Sequence, residues 1–509
     1  MALQFTEREF IPVLLGGDIN AYSVARAFYE EYQVKSLVFG KYQTGPAYRS
    51  QIIDYTPNVD IDTMPVMLKT VNGIARAHAD KTIVLMGCGD NYVALVAQAK
   101  DANELADNIV APYAPYSMLE QCQKKEIFYE LCEKHGVPYP HTFTFTAQML
   151  NTQGEAPAEV LDQIDFPYPM ILKPSDGIMW WQHEFEGQKK AYEIADRAEL
   201  EQVIRDSYAS GYNDDLILQD RVPGNDEYMR VLTSYSDRNG KVRMMCLGHV
   251  LLEEHQPHGV GNHACIITEP NDELMGGVRK LLEDLHFVGY SNFDVKYDER
   301  DGSFKFFDFN TRQGRSNYYV TNSGFNVAKY VVDEYVFNRP FEPEFVTAQD
   351  EALWMVVPMG VVDKYVKAPE LRAKVVNILR PHIQCSTKDT RKCQYIVNLV
   401  REVTATGSHN GCPCLFCHIW HNFRNRICHR KENRFFCHVL HHLFCHSSRC
   451  RYTNKDICPL QHFFQCTFFH ILVADLSHLF FLRIQIIAAF IDCSMAVTHD
   501  HIFQSKTYQ

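Results

Sequence analysis

The chain has 509 residues, a formal net charge of -12 at pH 7 and a sequence pI near 6.0. This length exceeds that of one ordinary domain and accommodates about two or three. The acidic balance argues against nucleic-acid binding by the whole protein, which normally requires a strong basic excess. The opening MALQFTEREF has no apolar core segment, and nothing in residues 1–384 approaches the roughly 20 apolar residues of a membrane span. We therefore expect a cytoplasmic protein without a signal peptide or an integral membrane segment.

Residues 1–115 alternate strand-like and helical segments, beginning with FIPVLLGG, NAYSVARAFYEEY and KSLVFG. Strand–Gly turn–helix repeats predict an α/β layer with a parallel sheet. The turns Gly16-Gly17-Asp18 and Gly87-Cys88-Gly89-Asp90 lie where helix N-termini could meet an anion. Tight packing explains such turns equally well. A dinucleotide site is not expected, because the GxGxxG pattern is absent.

Residues 116–345 mix helices with paired strands and predict an α+β domain, followed by a helical segment over 346–384. KKEIFYELCEKHG reads as an amphipathic helix that stops at Gly136. FPYPMILKPSDG reads as a short apolar strand ending near Lys173. DDLILQDRVPGNDEYMRVLTSY reads as two strands joined by a connector that contains Gly224.

The stretch FDVKYDERDGSFKFFDFNTR, residues 293–312, predicts a β-hairpin with unlike faces. Side chains two apart on a strand share a face, so Phe307 and Phe309 belong to an aromatic face and the acids to the other. A three-residue loop, Arg300-Asp301-Gly302, with Gly302 in the left-handed conformation would place Asp294 opposite Asp308.

Two carboxylates placed opposite one another destabilise a sheet unless a cation lies between them. Asp294, Asp308 and the Asn310 amide supply the oxygen ligands that Mg²⁺ prefers. We predict a metal site here. The alternative is a solvated polar face in which Lys296 and Arg312 neutralise the acids.

Two lysines strengthen the phosphate and metal interpretation. Lys125 precedes a helix of about one dozen residues, and Lys173 ends a buried strand, so each could bring a point charge to a phosphate. A single lysine at a strand end is usually a surface residue, but two lysines, a Gly-bearing turn and a carboxylate pair in this order favour nucleotide binding.

With these motifs, residues 116 to about 340 resemble an ATP-grasp ligase. Within that superfamily, GGDINAYSVARAFYE and DFNTRQGRSNYYVTNSGFNVAKY are most similar to D-aspartate ligases, which attach D-aspartate to the peptidoglycan stem peptide. The resemblance implies a pre-ATP-grasp α/β domain over 1–115 and an ATP-grasp domain over 116–345. It implies ATP and Mg²⁺ (or Mn²⁺) as cofactors.

The resemblance also implies roles for individual residues. Lys125 and Lys173 match the two nucleotide lysines, and LILQDRVPGNDE matches the adenine-binding connector. Adenine contacts are implied around Gln219 and Val222, with a ribose contact at Asp226 rather than Glu227. The implied metal ligands are Asp294, Asp308 and Asn310.

The chain departs from the family pattern at three places. The connector begins with Gln219 where Glu is usual, and Asp308 replaces a usual Glu. The expected Gly-rich phosphate lid is replaced by SDGIMWWQHEFEGQKKAY, which has only two glycines. We expect Trp180 and Trp181 to pack rather than to cover the site.

The implied mechanism has two steps: the carboxylate attacks the γ-phosphate of ATP, and an amine then displaces phosphate from the acyl phosphate. Arg312 and Arg315 are candidates for binding the carboxylate or the acyl-phosphate oxyanion, since guanidinium matches both. Each arginine taken alone is more often a surface ion-pair partner. The stretch HVLLEEHQPHGVGNHAC contains four histidines, His249, His255, His258 and His263. A lid or amine-binding role is open for them, but we expect solvated loop histidines. No zinc spacing is present among them.

Residues 385–509 differ from the rest in composition. They contain twelve of the 17 Cys and 13 of the 23 His, but only two of the 26 Gly. The five other cysteines lack metal spacing and indicate reduced thiols. Cys412, Cys414, Cys417, His418 and His421 have ligand-like distances without the defined spacers of zinc sites. We hypothesise that translation left its reading frame near residue 380, so that the tail is not a natural fold; a metal-binding module is the alternative.

We expect an ATP-dependent carboxylate–amine ligase that joins D-aspartate to an amine-bearing cell-wall precursor. Another ATP-grasp ligase making a small dipeptide-like amide is the first alternative. A degenerate nucleotide-binding protein is the second. No nucleic-acid partner is expected, and a homo-oligomer is left open.

Overall fold

The computed structural model describes residues 8–255, 259 and 261–384. His258 and the Cys/His-rich segment 385–509, with the metal-module and frameshift hypotheses that concern it, lie outside these residues. No helix within the described ranges combines the length and apolar character needed to cross a membrane.

The N-terminal region forms a five-stranded parallel sheet, as predicted. Its strand order is β3-β2-β1-β4-β5, so the chain starts in the middle of the sheet and extends it first to one side and then to the other. The carboxyl ends of β1 and β4 therefore flank the point where a ligand crevice forms in open α/β sheets. The elements are β1 (Phe10–Leu15), α1 (Ile19–Tyr32), β2 (Ser36–Gly40), β3 (Ile53–Pro57), α2 (Met64–Ala77), β4 (Thr82–Gly87), α3 (Asp90–Asp101) and β5 (Ile109–Val110).

Two helices lead from this layer to a four-stranded antiparallel sheet of order β6-β9-β7-β8. The second helix stops at Gly136 in the left-handed conformation (φ 67°), as its sequence predicts. The elements are α4 (Tyr116–Gln123), α5 (Lys125–His135), β6 (Thr142–Phe145), α6 (Ala158–Leu161), β7 (Met170–Pro174), α7 (Gly177–Trp180), β8 (Tyr192–Ile194), α8 (Arg197–Ala209) and β9 (Leu216–Asp220).

A second sheet is antiparallel in the order β14-β13-β10-β11-β12-β16, and β15 pairs with β11 in the parallel orientation. The segment expected to be helical over 346–384 begins with two short strands of this sheet. The elements are β10 (Met229–Ser236), β11 (Val242–Glu253), β12 (His263–Thr268), α9 (Asp272–Asp284), β13 (Gly289–Asp298), β14 (Ser303–Asn310), α10 (Tyr318–Asn322), α11 (Val327–Tyr335), β15 (Val346–Thr347), β16 (Leu353–Met355), α12 (Met359–Tyr365) and α13 (Pro369–Gln384).

The N-terminal layer and the larger antiparallel sheet share their apolar cores. One continuous cluster includes Ile11 of β1 and Phe293 of β13, and another includes Phe10 and Val331. Gly289 (φ 95°) permits the close approach, because a β-carbon at this position would lie 2.0 Å from the Pro112 carbonyl oxygen. The carboxyl edge of the parallel sheet is thereby held against the start of β13.

A third core lies under the smaller antiparallel sheet and includes Trp180. The Trp180 ring is fully buried and packs edge-on against Phe185 and Tyr212. Trp181 instead exposes 50% of its surface. The packing role expected for the tryptophan pair is thus found for Trp180 only.

Candidate active site

The acidic hairpin of β13 and β14 places Asp294 opposite Asp308, as predicted, but by a different route. Asp298 pairs with Ser303, so the loop has four residues, 299–302, and the predicted three-residue loop is wrong. Gly302 does adopt the left-handed conformation (φ 74°). The register shifts by one residue between Val295 and Asp294, and this β-bulge restores the opposition of the two acids.

The bulge corrects the prediction for Phe307. It is the extra residue, because Val295 pairs with Phe306 and Asp294 with Asp308. Phe306 and Phe309 are buried in the aromatic core, whereas Phe307 is only partly buried. The Phe307 ring centroid lies 5.5 Å from Lys173 Nζ, and its carbonyl accepts a 2.9 Å hydrogen bond from the Tyr129 hydroxyl. Strand alternation alone could not reveal that Phe306, and not Phe307, occupies the buried face.

The two predicted nucleotide lysines meet at the same strand of the hairpin. Lys125, at the start of α5, places its Nζ 3.1 Å from Asp308 Oδ1. Lys173, near the end of β7, is 8% exposed and places its Nζ 3.5 Å from the Phe307 carbonyl oxygen. Burial lowers the pKa of Lys173 to about 8, although the attraction of Asp308 opposes this shift.

The two hairpin carboxylates have opposite electrostatic environments. Burial would raise the pKa of Asp308, but Lys125 and Lys173 together lower it to about 2. Burial and the repulsion of Asp308 raise the pKa of Asp294 to about 6. The Asn310 amide nitrogen donates to Asp294 Oδ2 over 3.2 Å. The three predicted metal ligands therefore lie at one end of the hairpin.

Two further groups lie close to Asp294, and sequence reasoning missed one of them, Glu253. His263 Nε2 lies 3.8 Å from both Asp294 Oδ1 and Glu253 Oε1. Neither His263 Nε2 nor Glu253 Oε1 hydrogen-bonds to any residue that the structure describes. Burial lowers the pKa of His263 to about 4 and raises that of Glu253 to about 7, with Asp226 adding to the latter shift. At neutral pH this histidine is uncharged.

The expectation of solvated loop histidines is wrong for two of the four. His249 lies within β11 and contacts Glu269 Oε2 (3.1 Å) and the Glu227 carbonyl oxygen (2.7 Å). His263 begins β12 and is buried. The continuous apolar runs around them, MMCLGHVLL and HACII, were the available signal.

The predicted adenine connector follows β9. The buried Gln219 amide donates to Thr142 Oγ1 over 2.9 Å. The Val222 carbonyl accepts a 3.1 Å hydrogen bond from Lys296 Nζ, which also donates to the Gly224 carbonyl over 2.7 Å. Lys296 therefore binds the connector rather than neutralising the hairpin acids.

Asp226 and its neighbour Glu227 have different surroundings. Asp226 Oδ2 accepts hydrogen bonds from the Glu253 backbone N–H (2.9 Å) and from His255 Nε2 (2.8 Å), so Asp226 lies beside Glu253. The Glu227 carboxylate accepts from the backbone N–H groups of residues 367 and 368. Of the two, only Asp226 is connected to the site.

The predicted substrate arginines lie on the segment that follows β14 and face the N-terminal layer. Arg312 Nη2 lies 2.8 Å from Asp90 Oδ2 at the start of α3. Arg315 Nη1 lies 2.9 Å from Glu254 Oε1. Arg312 also lowers the pKa of Asp294 against the larger effect of burial, so it lies near the hairpin acids as well.

Asp18 faces these arginines from the other side of the crevice. Its Oδ1 caps α1 by accepting from the backbone N–H groups of residues 20 and 21 (3.1 and 3.3 Å). Burial raises the pKa of Asp18, whereas Arg315 and Arg312 lower it. The Gly16-Gly17-Asp18 turn thus contributes a carboxylate within electrostatic range of the two guanidinium groups.

Two antiparallel sheets, with two lysines that meet an acidic hairpin of the larger sheet, are characteristic of ATP-grasp enzymes. The chain is a carboxylate–amine ligase of that class. A D-aspartate ligase of Enterococcus faecium (strain Aus0004) is 38% identical over 368 residues, which cover 71% of this chain and 86% of that relative. This chain therefore belongs to the D-aspartate ligase family.

Solved structures align with the chain at lower similarity. The N5-carboxyaminoimidazole ribonucleotide synthetase of Thermus thermophilus has a TM-score of 0.49 at 14% identity, covering 73% of this chain and 98% of that one. The L-amino acid ligase of Bacillus licheniformis has a TM-score of 0.41 at 15% identity, covering 65% and 71%. No family model matches the sequence.

Proposed function

We propose that this enzyme uses ATP to activate D-aspartate and joins it to an amine of a peptidoglycan precursor. The observation that carries the proposal is the crevice where Arg312 and Arg315 face Asp18. Aspartate has two carboxylates and one ammonium group. The substrate carboxylates would bind Arg312 and Arg315 by replacing their contacts with Asp90 and Glu254, and Asp18 would face the ammonium group. The 38% identity to a D-aspartate ligase supports the same substrate.

ATP is proposed to lie in the cleft between the two antiparallel sheets. Gln219 and Val222 belong to the adenine end, and Asp226 to the ribose. Lys125 and Lys173 would face the phosphates. The unusually low pKa of Lys173, about 8, reflects burial without a full counter-charge, and a phosphate would supply that charge.

A divalent cation, Mg²⁺ or Mn²⁺, is proposed to bind Asp294, Asp308 and Asn310. The residues fit this role because two carboxylates and an amide are hard-oxygen donors. The raised pKa of Asp294, about 6, means that its ionised form lacks a compensating charge in the protein alone. The cation would neutralise charge on the β- and γ-phosphates as it develops.

The residues of this chain then act by positioning and by charge. Arg312 and Arg315 orient the substrate so that one carboxylate oxygen attacks the γ-phosphorus, and the bond to ADP breaks. Lys125 and Lys173 hold the phosphate oxygens during this transfer. The acceptor amine next attacks the acyl carbon, inorganic phosphate leaves, and the amine loses a proton. A closed cleft would protect the acyl phosphate from water.

The experiment measures ADP release with the purified full chain and a panel of carboxylates and amines. We expect release to require D-aspartate and a cell-wall precursor amine, with L-aspartate and succinate much poorer. Arg315→Lys should raise the KM for aspartate by about 10-fold or more, since a bidentate charged contact is lost. Lys329→Arg, on the distant α11, is the matched control. Release with another amino acid but not with D-aspartate would favour a dipeptide-like ligase, and no release with any substrate would favour a degenerate nucleotide-binding protein.

A further inference from the structure

The segment between β7 and β8, residues 175–191, follows the strand that carries Lys173 and is poor in glycine. The Trp180 side chain stabilises the backbone of this segment, because its Nε1 donates a hydrogen bond to the Lys189 carbonyl over 2.9 Å. Gln188 Nε2 donates to the Trp180 carbonyl over 2.8 Å. The backbone N–H groups of residues 180, 182, 183 and 188 also donate to carbonyls within the segment, so these groups are not directed at a phosphate as in a glycine-rich loop.

The two consecutive lysines of this segment have different environments. Lys189 Nζ lies 5.3 Å from the centroid of the Tyr192 ring, and its backbone N–H donates to the Tyr192 hydroxyl over 3.0 Å. Lys190 is exposed and forms no ion pair within the part of the chain that the structure describes. A β-carbon placed on Gly261 would lie 3.6 Å from Lys190 Nζ. Lys190 therefore reaches the loop before β12.

That loop leads directly to His263, which lies near Asp294 and Glu253. Gly261 precedes His263 by two residues, and His263 Nε2 lies 3.8 Å from Asp294 Oδ1. Burial is the largest influence on the pKa values of four groups in this region, but the Lys190 charge acts on all four. It lowers the pKa of Asp294, Asp308, Lys173 and His263.

We propose that Lys190 is a phosphate-positioning residue: its ammonium group reaches from the glycine-poor segment to the metal end of the cleft and binds the γ-phosphate of ATP. In this role one side-chain charge replaces the backbone N–H groups of a glycine-rich lid. The inference rests on the proposed function, because it presupposes ATP in the cleft. An ammonium on a long flexible stem can follow the terminal phosphate without movement of the anchored backbone.

The γ-phosphate is what distinguishes ATP from ADP, so the expected signature is selective. Against the larger effect of burial, the Lys190 charge lowers the pKa of the hairpin acids Asp294 and Asp308, whereas the proposed adenine site is on the connector around Val222. We therefore expect Lys190 to contact the terminal phosphate and not the base. Its removal should weaken ATP binding by about 10-fold, the size of one charge-assisted contact, and ADP binding by less than about 2-fold.

The test is calorimetric titration of the full chain with ATP and with ADP, each with Mg²⁺, for Lys190→Ala and for the adjacent Lys189→Ala. We expect the ATP-selective loss for Lys190→Ala only, near-normal affinity for Lys190→Arg, and a steeper salt dependence of ATP binding in the wild type than in Lys190→Ala. Equal effects of the two alanine variants, or equal weakening of ATP and ADP binding, would overturn the proposed role of Lys190 and leave the proposed function of the enzyme in place. A wild-type chain that binds neither nucleotide would overturn the proposed function as well.

Discussion

The two sides of the acidic hairpin differ in how their charges are balanced. On the β14 side, which we call the phosphate end, Asp308 pairs with Lys125 at 3.1 Å and lies near Lys173, and its pKa falls to about 2. On the β13 side, which we call the acidic end, the pKa of Asp294 rises to about 6 and that of Glu253 to about 7.

This difference indicates which buried groups on each side lack a compensating charge. At the phosphate end the Asp308 carboxylate has its own counter-ions, whereas the pKa of the buried Lys173 remains lowered, to about 8, and this lysine can still accept the charge of a phosphate. The acidic end contains buried acids and a neutral histidine with unpaired polar atoms among the described residues, an arrangement that destabilises a fold unless a ligand compensates. Such local costs concentrate at functional sites, and here a cation is the compensating ligand that the chemistry favours.

The largest expected effect concerns the phosphate end. Lys173→Met removes a buried charge at the proposed phosphate position and should lower kcat by about 100- to 1000-fold, the cost of losing one preorganised electrostatic contact. Steady-state ADP release measures this. Lys305→Met on the same hairpin is the control, because Lys305 Nζ instead pairs with Asp301 of the loop. Similar kcat losses for both variants would contradict the assignment of Lys173.

The second prediction compares the two aspartates in metal-free, nucleotide-free protein. The folded pKa of Asp294 is raised above its ordinary 3.8, so its ionised form costs stability; this cost is absent below about pH 4, grows up to about pH 6 and is constant above. Asp294→Asn should therefore raise the free energy of unfolding at pH 8 by about 1–3 kcal/mol. Thermal and urea denaturation measure the change.

Asp308→Asn should have the opposite sign. The folded pKa of Asp308 is depressed, so its stabilisation is present above about pH 4 and is lost as the pH falls through about 2. Its removal leaves two lysines without their counter-ion and should lower stability at pH 8. Destabilisation of equal size in both variants would show that the two ends do not differ as we describe.

A smaller effect separates Asp226 from Glu227. Asp226→Asn should raise the KM for ATP by about 10-fold, because one charged contact to the ribose is lost. Glu227→Gln should leave that KM nearly unchanged and slightly lower the melting temperature, since its carboxylate binds backbone N–H groups of residues 367 and 368. The reverse pattern would assign the nucleotide contact to Glu227.

Much of the fold could be predicted because its signals are local. Apolar runs followed by Gly-rich turns indicated the parallel layer, and alternation with Gly302 in the turn indicated the hairpin and the opposition of its acids. The bulge at Phe307 could not be predicted, because Phe306, Phe307 and Phe309 are interchangeable by composition. The short strands in 346–355 also escaped, since they exist only by pairing with a distant sheet.

The candidate site was predictable where residues lie close together in a motif, as in the hairpin or the connector. Glu253, His263 and Lys190 come from three separate elements and meet only in the folded chain. The segment QKKAY contains two equivalent-looking lysines, which the fold distinguishes by packing Lys189 against Tyr192 and by placing Lys190 near Gly261.

The most direct test of the central claim, that a divalent cation shared with the nucleotide occupies the acidic end, is the coupling between Mg²⁺ and ATP binding. Calorimetry should titrate ATP with and without Mg²⁺ into the wild type and into Asp294→Asn, whose fold is checked by its melting temperature. We predict that Mg²⁺ tightens ATP binding by about 10-fold or more in the wild type, a coupling of about 1.4 kcal/mol, and has little effect in the variant. Equal coupling in the two proteins would contradict the account.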